Sequence, residues 1–296
     1  MTSPELVLPK APATRKGFVA RALGNPVFLC GAIVLGLILL MAVFAPLIAP
    51  YDPLAQDMLN RTVSPIWLDG GDWAHPLGTD GLGRDYLSRI IYGARISLLI
   101  GVFTVITSGI IGTLMGVLAG YFGGRIDLVI NFLIMTRLTL PVIMVALAVV
   151  AIFGGSLTVV VLVLGLLLWD RFAVVMRSAV MQIRNQEYIQ AAQSMGYSTP
   201  KLLVKELLPN IFDRLAVIAT FEMAHAILLE ASLSFLGLGV QPPTPSWGLM
   251  VAEGRQYLLF DSWLILIPGA AICVLVLAIN MMGDGLRDAL APENRN

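Results

Sequence analysis

The sequence predicts an all-α membrane protein, a polytopic bundle with six transmembrane helices, and three observations carry that prediction. Of 296 residues, 57% are hydrophobic and 13% are charged, about half the charge of a water-soluble domain, and the mean hydropathy is +0.84. Six apolar stretches reach the ~20 residues a helix needs to cross the hydrocarbon core. The charges are distributed unequally between the two sides of those stretches.

The spans are predicted at 27–48, 96–120, 128–153, 157–176, 213–237 and 263–282. The first follows a polar tail and is longer than the apolar core of a secretory signal, so it reads as a retained anchor. An inside N-terminus leaves Arg61, Arg84, Arg89, Arg95 and Arg255 outside and Arg137 within a span; the other 13 of the 19 Lys and Arg lie inside, as the positive-inside rule requires. Both termini are then cytoplasmic, with outer segments at about 50–95 and 238–262. The chain divides into an inner tail (1–26), the first span with its outer segment (27–94), a core (95–285) holding a cytoplasmic loop at 183–210, and a second inner tail (286–296). Zero net charge and the lack of a basic stripe exclude a nucleic-acid partner. Cys30 and Cys273 sit in apolar runs, where a thiol behaves as a small hydrophobe.

Along the second span Thr104, Ser108, Gly112, Gly116 and Gly120 recur every four residues, a ridge that lets helix backbones approach closely in lipid. Contact within this chain is the expected use, contact with a partner the alternative. Ionisable groups at membrane depth face the bundle interior, a partner or water. Arg137 in the third span and Glu222, His225 and Glu230 in the fifth are such groups, expected either to pair, Arg137 with Glu222 or Glu230, or to line a hydrated path. Glu222-x-x-His225 has no second such pair, so no metal site is predicted. Asp170 and Arg171, beside Trp169, read as an interfacial ion pair, His75 as a solvated or hydrogen-bonded loop histidine rather than a ligand, and Tyr86 to Tyr92 as an amphipathic interfacial helix.

The inner loop contains Glu187, Gln190-Ala191-Ala192, Met195-Gly196, Leu202-Leu203 and Leu208-Pro209. It predicts a short helix stopped at Gly196, then a second helix capped by Thr199 with Pro200 first, ending before Pro209. Ala191 and Ala192 allow close approach, and Met195, Leu202 and Leu203 form an apolar contact face. This loop resembles the EAA motif of ABC-importer permeases, with Gln190 in place of the usual Glu. His75-Pro-Leu-Gly-Thr-Asp80 through Arg84-Asp85 and Arg95-Ile-Ser97, Leu233-Ser-Phe-Leu-Gly237 through Trp247-Gly248, and Asn280-Met-Met-Gly283-Asp284-Gly285 narrow the resemblance to the dipeptide and oligopeptide permease branch. Ala291-Pro292 departs from its usual Asp-Pro.

The resemblance implies a type I permease that forms a path by alternating access. Its partners would be a homologous permease, two ATPase subunits that bind ATP and magnesium, and an extracytoplasmic binding protein docking on the two outer segments, in a bacterial inner membrane. The loop would dock into the ATPase. Dipeptides, longer peptides, glutathione, opines and nickel complexes are the branch's solutes. No Gly-x-x-x-x-Gly-Lys phosphate loop occurs, so the chain itself is expected to carry no cofactor and no catalytic residues. A secondary transporter would show broken helices in symmetric halves, and a membrane hydrolase would need a nucleophile constellation that the sequence lacks.

Overall fold

The computed structural model describes residues 22–290. Among these, five helices are long and apolar enough to cross a membrane, or six when one bent pair counts as a single span. Helix α1, Pro26–Val43, starts where Asn25 Oδ1 accepts from the Val27 and Phe28 N–H groups at 2.9 and 3.3 Å, with proline at the first turn, where its missing N–H is not needed. It lies along the outside of the bundle against the last helix, with Gly31 letting the Ala278 backbone approach.

Helix α2, Tyr86–Phe122, is 37 residues long, about 55 Å at 1.5 Å per residue. Asp85 caps it by accepting from the Ser88 N–H at 2.8 Å. The expected interfacial helix at Tyr86 to Tyr92 is instead the first two turns of this rod, because Tyr86, Ile90 and Ile91 are buried rather than lying on a membrane surface. The third predicted span is broken. Helix α3, Gly124–Thr139, meets α4, Val142–Phe153, at 84°. Pro141 has no N–H to continue the ladder and biases Leu140 to extended backbone, observed at φ −88°, ψ 127°.

Helices α5, Leu157–Leu167, and α6, Trp169–Ile183, form one span that extends past the predicted end. Gly112, Gly116 and Gly120 of α2 sit against the backbone of Trp169, Ala173 and Arg177 on α6, and Thr104 and Ser108 are fully buried. The small-residue ridge therefore packs within this chain. Helices α7, Glu187–Ser194, and α8, Thr199–Leu202, form the loop. The second does not end before Pro209: Leu203–Leu207 is a wide π turn leading into α9, Leu208–Phe235, so Thr199–Phe235 is one 37-residue helix. The Leu208 N–H bonds five residues back to Leu203 O, which absorbs a proline that a regular α turn would not accommodate. Helix α10, Trp247–Gly254, precedes α11, Trp263–Leu290.

The two segments expected to lie outside, about 50–95 and 238–262, form one unit. Residues 49–85 fold over the start of α2, and α10 lies on the same end of the bundle. The Trp247 indole N–H donates to Ile90 O at 2.9 Å, and Arg84 and Arg89 both reach Glu253 across the chain, at 3.2 and 2.8 Å. We call this the cap end and the opposite end, carrying α7 and α8, the loop end.

Candidate functional site

At the loop end α7 stops at Gly196, which has φ +80°; the Gly196 N–H bonds Gln193 O at 2.9 Å and the Tyr197 N–H bonds Ala192 O at 3.1 Å. The reversed chain closes the helix as glycine permits and other residues resist. Ser198, not Thr199, precedes the second helix, and no side chain caps it; Lys201 rests 4.0 Å above the Tyr197 ring. The two helices form a packed knob. Ile189, Ala192, Leu202, Leu207 and Ile211 are buried together with Val117 of α2 and Met176, Ala179, Val180 and Ile183 of α6.

This division corrects part of the predicted contact face. Leu202 and Ala192 point into the knob's own core at 0% and 3% exposure, while Leu203 and Leu208 are half-buried. Glu187, Gln190, Ala191, Met195, Gly196 and Pro209 are exposed. The sequence reading missed Tyr188 and Val204, which are also exposed; helical spacing flags both, since Ile189 and Ala192 mark one inward face and Leu202 and Leu207 the other. Partial burial, with Glu206 nearby, raises the Tyr188 phenol above its usual 10. Gln190 uses its amide on its own chain, donating to Asn185 O at 3.2 Å.

The intramembrane charges pair differently from expectation. Arg137 meets neither Glu222 nor Glu230. Its Nε donates to Leu167 O at 2.6 Å and its Nη1 reaches Leu140 O at 3.5 Å, so it serves carbonyls at two helix breaks, α3–α4 and α5–α6. Glu222 accepts from Arg171 Nη1 at 3.2 Å and lies 3.3 Å from His225 Nδ1. Arg171 is therefore no interfacial partner of Asp170, which is buried. Glu230 is a strut toward the cap: its Oε1 accepts from Ser234 at 2.7 Å and from Ser246 at 3.2 Å. Among the described residues no cluster of three His, Cys, Asp or Glu side chains could hold a metal ion.

The cap is held by charge. Asp80 Oδ2 accepts from Arg84 Nε at 2.6 Å and pairs with Arg89, and His75 Nδ1 lies 2.9 Å from Asp85 Oδ1, so of its two expected states the histidine takes the hydrogen-bonded one. The Asn60 side chain holds the Asp57 carboxyl below its usual value.

A helical bundle with one broken span, a compact helix pair at one end and a folded cap at the other is the type I permease fold of ABC importers. It is shared with a chain of the MetNI methionine ABC transporter in an inward-facing conformation, with a TM-score of 0.57 over 69% of this chain and 97% of that one at 19% identity. The chain belongs to the family of binding-protein-dependent transport system inner membrane components, whose model matches residues 112–296. Residues 16–65 match the N-terminal transmembrane domain of oligopeptide transport permease C.

Relatives extend over the full length. The di/tripeptide transport system permease protein DppC of Pseudomonas aeruginosa is 43% identical over 100% of this chain and 96% of its own. The dipeptide transport system permease protein DppC of Haemophilus influenzae is 39% identical over 98% of each. The oligopeptide transport system permease protein OppC of Bacillus subtilis is 34% identical over 98% of this chain and 93% of its own.

Proposed function

We propose that this chain is one of two homologous permease subunits of an ATP-driven importer that carries dipeptides and other short peptides across a bacterial inner membrane. Peptide cargo is favoured over nickel complexes, opines or glutathione by full-length identity to permeases of di/tripeptide, dipeptide and oligopeptide systems. The cap faces outward, toward a solute-binding protein, and the loop end and both termini face the cytoplasm, where twelve of the nineteen Lys and Arg then lie, with Arg137 and Arg171 inside the bundle. Two ATPase subunits hold ATP and magnesium; this chain contributes no ATPase site.

The observation that carries the reading is the knob. Its exposed surface, formed by Tyr188, Ala191, Met195 and Val204, sits on a buried core continuous with α6 and with the 37-residue helix ending at Phe235. A push on that surface reaches the spans without passing through a flexible joint. Gly196 tests it. A Cβ there meets nothing within 4 Å in this chain, so within the chain a substitution acts through the φ of +80° alone, about 1–3 kcal/mol of backbone strain. In the isolated permease Gly196→Ala then lowers the melting midpoint modestly and Gly196→Val somewhat more, because a β-branched residue tolerates positive φ least, and both still fold. In reconstituted vesicles with the partner permease, ATPases and loaded binding protein, Val abolishes both uptake and stimulated ATP hydrolysis, and Ala retains part of each, because a clash in a docking cleft grows with side-chain size. Normal uptake by Gly196→Val would remove the knob as the mechanical link.

A further inference from the structure

Arg171 lies six residues, about 9 Å along α6, inward of Arg177, which pairs with Asp127 through a 2.7 Å bond near the loop end. At that depth its side chain is 55% exposed and His225 is 29% exposed, while the Glu222 carboxylate between them is 1% exposed. Hydrocarbon excludes a half-exposed guanidinium, so this face borders water or a polar partner rather than lipid. The same face continues toward the loop end as a cavity of about 640 Å³ that begins at Val175, one turn from Arg171, and at Phe221, beside Glu222. It reaches Asn210, Asp213, Arg214 and Arg287. The cavity itself is lined further by Val217, Ile218 and Leu290 and stops short of Arg171, Glu222 and His225, which lie beyond its Val175 and Phe221 edge.

Among the described residues the Arg171 side chain makes one protein hydrogen bond, to Glu222. The carboxylate behind it fixes the guanidinium and leaves its other N–H donors open. A planar guanidinium with free donors matches a carboxylate in bidentate fashion. We propose that Arg171 is a subsite for the main-chain carboxylate of the peptide in transit, with Glu222 and His225 as positioning residues. This rests on the peptide-importer reading above. Every short peptide carries one such carboxylate whatever its side chains, so a single fixed arginine recognises the class without selecting sequence. Glu222 competes for the same guanidinium, which keeps the hold weak enough for release, as a transport site requires.

The test uses the complete transporter in vesicles, with Cys30 and Cys273 replaced by serine and Val174→Cys introduced one turn from Arg171, at a position 45% exposed. The probes are an anionic and a cationic methanethiosulfonate of matched size. The anionic reagent should react about tenfold faster, the lower bound of electrostatic focusing in a cleft. Arg171→Gln should abolish that preference and Arg171→Lys should keep it. A dipeptide with a free C-terminus should slow the anionic reaction, while its C-terminal amide should not. With saturating loaded binding protein, Arg171→Gln should lower maximal uptake of neutral and acidic dipeptides alike at least tenfold, with the binding protein's affinity unchanged. Equal reactivity toward both reagents, protection by the amide, or a loss confined to acidic peptides would overturn the assignment. Should Arg171→Gln alone fail to assemble because Glu222 is left unpaired, Arg171→Gln with Glu222→Gln takes its place: it should assemble and lose the anionic preference, and a double variant that keeps the preference would overturn the assignment. A wild-type complex that keeps the anionic preference but moves no peptide would instead overturn the peptide-importer reading alone.

Discussion

Replacing Gly116 by alanine separates close helix packing from helix propensity, because the same helix contains its own control. A Cβ at Gly116 would stand 2.5 Å from Ala173 O and 2.9 Å from Met176 Cβ, whereas ordinary contact begins at 3.4 Å. Neither neighbour is the tip of a flexible side chain, so α2 and α6 must part by about 0.9 Å, the difference between 3.4 and 2.5 Å, along a seam that also contains Gly112 and Gly120. Overpacking of this kind lowers stability by about 1–3 kcal/mol. At Gly109, two turns toward the cap, an added Cβ meets only the Phe172 ring at 3.5 Å. There alanine removes backbone freedom from the unfolded chain and gains up to about 1 kcal/mol. Thermal melting of the purified permease in detergent, followed by the monodisperse fraction that survives heating, reads both signs. The expected outcome is a lower midpoint for Gly116→Ala and an equal or higher one for Gly109→Ala. Two shifts of the same sign and size would refute the claim that the ridge works by backbone proximity.

Asp80→Asn removes the anion shared by Arg84 and Arg89 and leaves the buried Arg89 with Glu253 alone. The single change should lower stability by about 3–5 kcal/mol, and combining it with Arg89→Met should recover part of the loss in the same melting assay. Arg137→Gln and Glu222→Gln should add to within about 0.5 kcal/mol in a double-mutant cycle, because the two side chains have no partner in common; a coupling above ~1 kcal/mol would contradict the observed pairing. The Tyr188 phenol is raised above its usual 10, so the fold favours its neutral form. Its contribution is complete below pH 10 and is lost as pH rises through the raised value. Tyr188→Phe should flatten that alkaline decline in a series of melts.

The helices were legible where lipid leaves one solution. A run such as 27–48 has no alternative to a helix, and the four-residue recurrence from Thr104 to Gly120 marks a close-packing face before any neighbour is known. The break at Pro141 was written in the sequence as Leu140-Pro141, but 26 residues of apolar character around it read as a single span. Arg137 was misassigned because charge invites a search for opposite charge, whereas its partners are carbonyls at helix breaks, which residue identity does not reveal. Arg171 looked interfacial beside Trp169 because the span was cut at 176; the helix runs to Ile183 and carries the arginine inward. In the loop, the Ala-Ala and Gly pattern marked a helix that stops at Gly196, whereas Leu208-Pro209 does not end the second helix. Which of the knob's apolar residues face outward depends on how α7 and α8 seat on α6, a tertiary fact. The cap posed the same difficulty, since Arg84 and Glu253 are 169 positions apart.

The continuity of Thr199–Phe235 through Pro209 has a geometric consequence. At about 1.5 Å per residue this rod is roughly 55 Å long, so a tilt of about 5° about its loop end sweeps the other end through some 5 Å. That end carries Glu230, which accepts from Ser234 and from Ser246 at the start of α10. Had the proline ended the helix, the two halves would swivel independently and a small rotation would be dissipated at the joint. The wide turn at Leu203–Leu207 keeps the rod whole, so an angular change of a few degrees at one membrane surface becomes a displacement comparable to a side chain at the other.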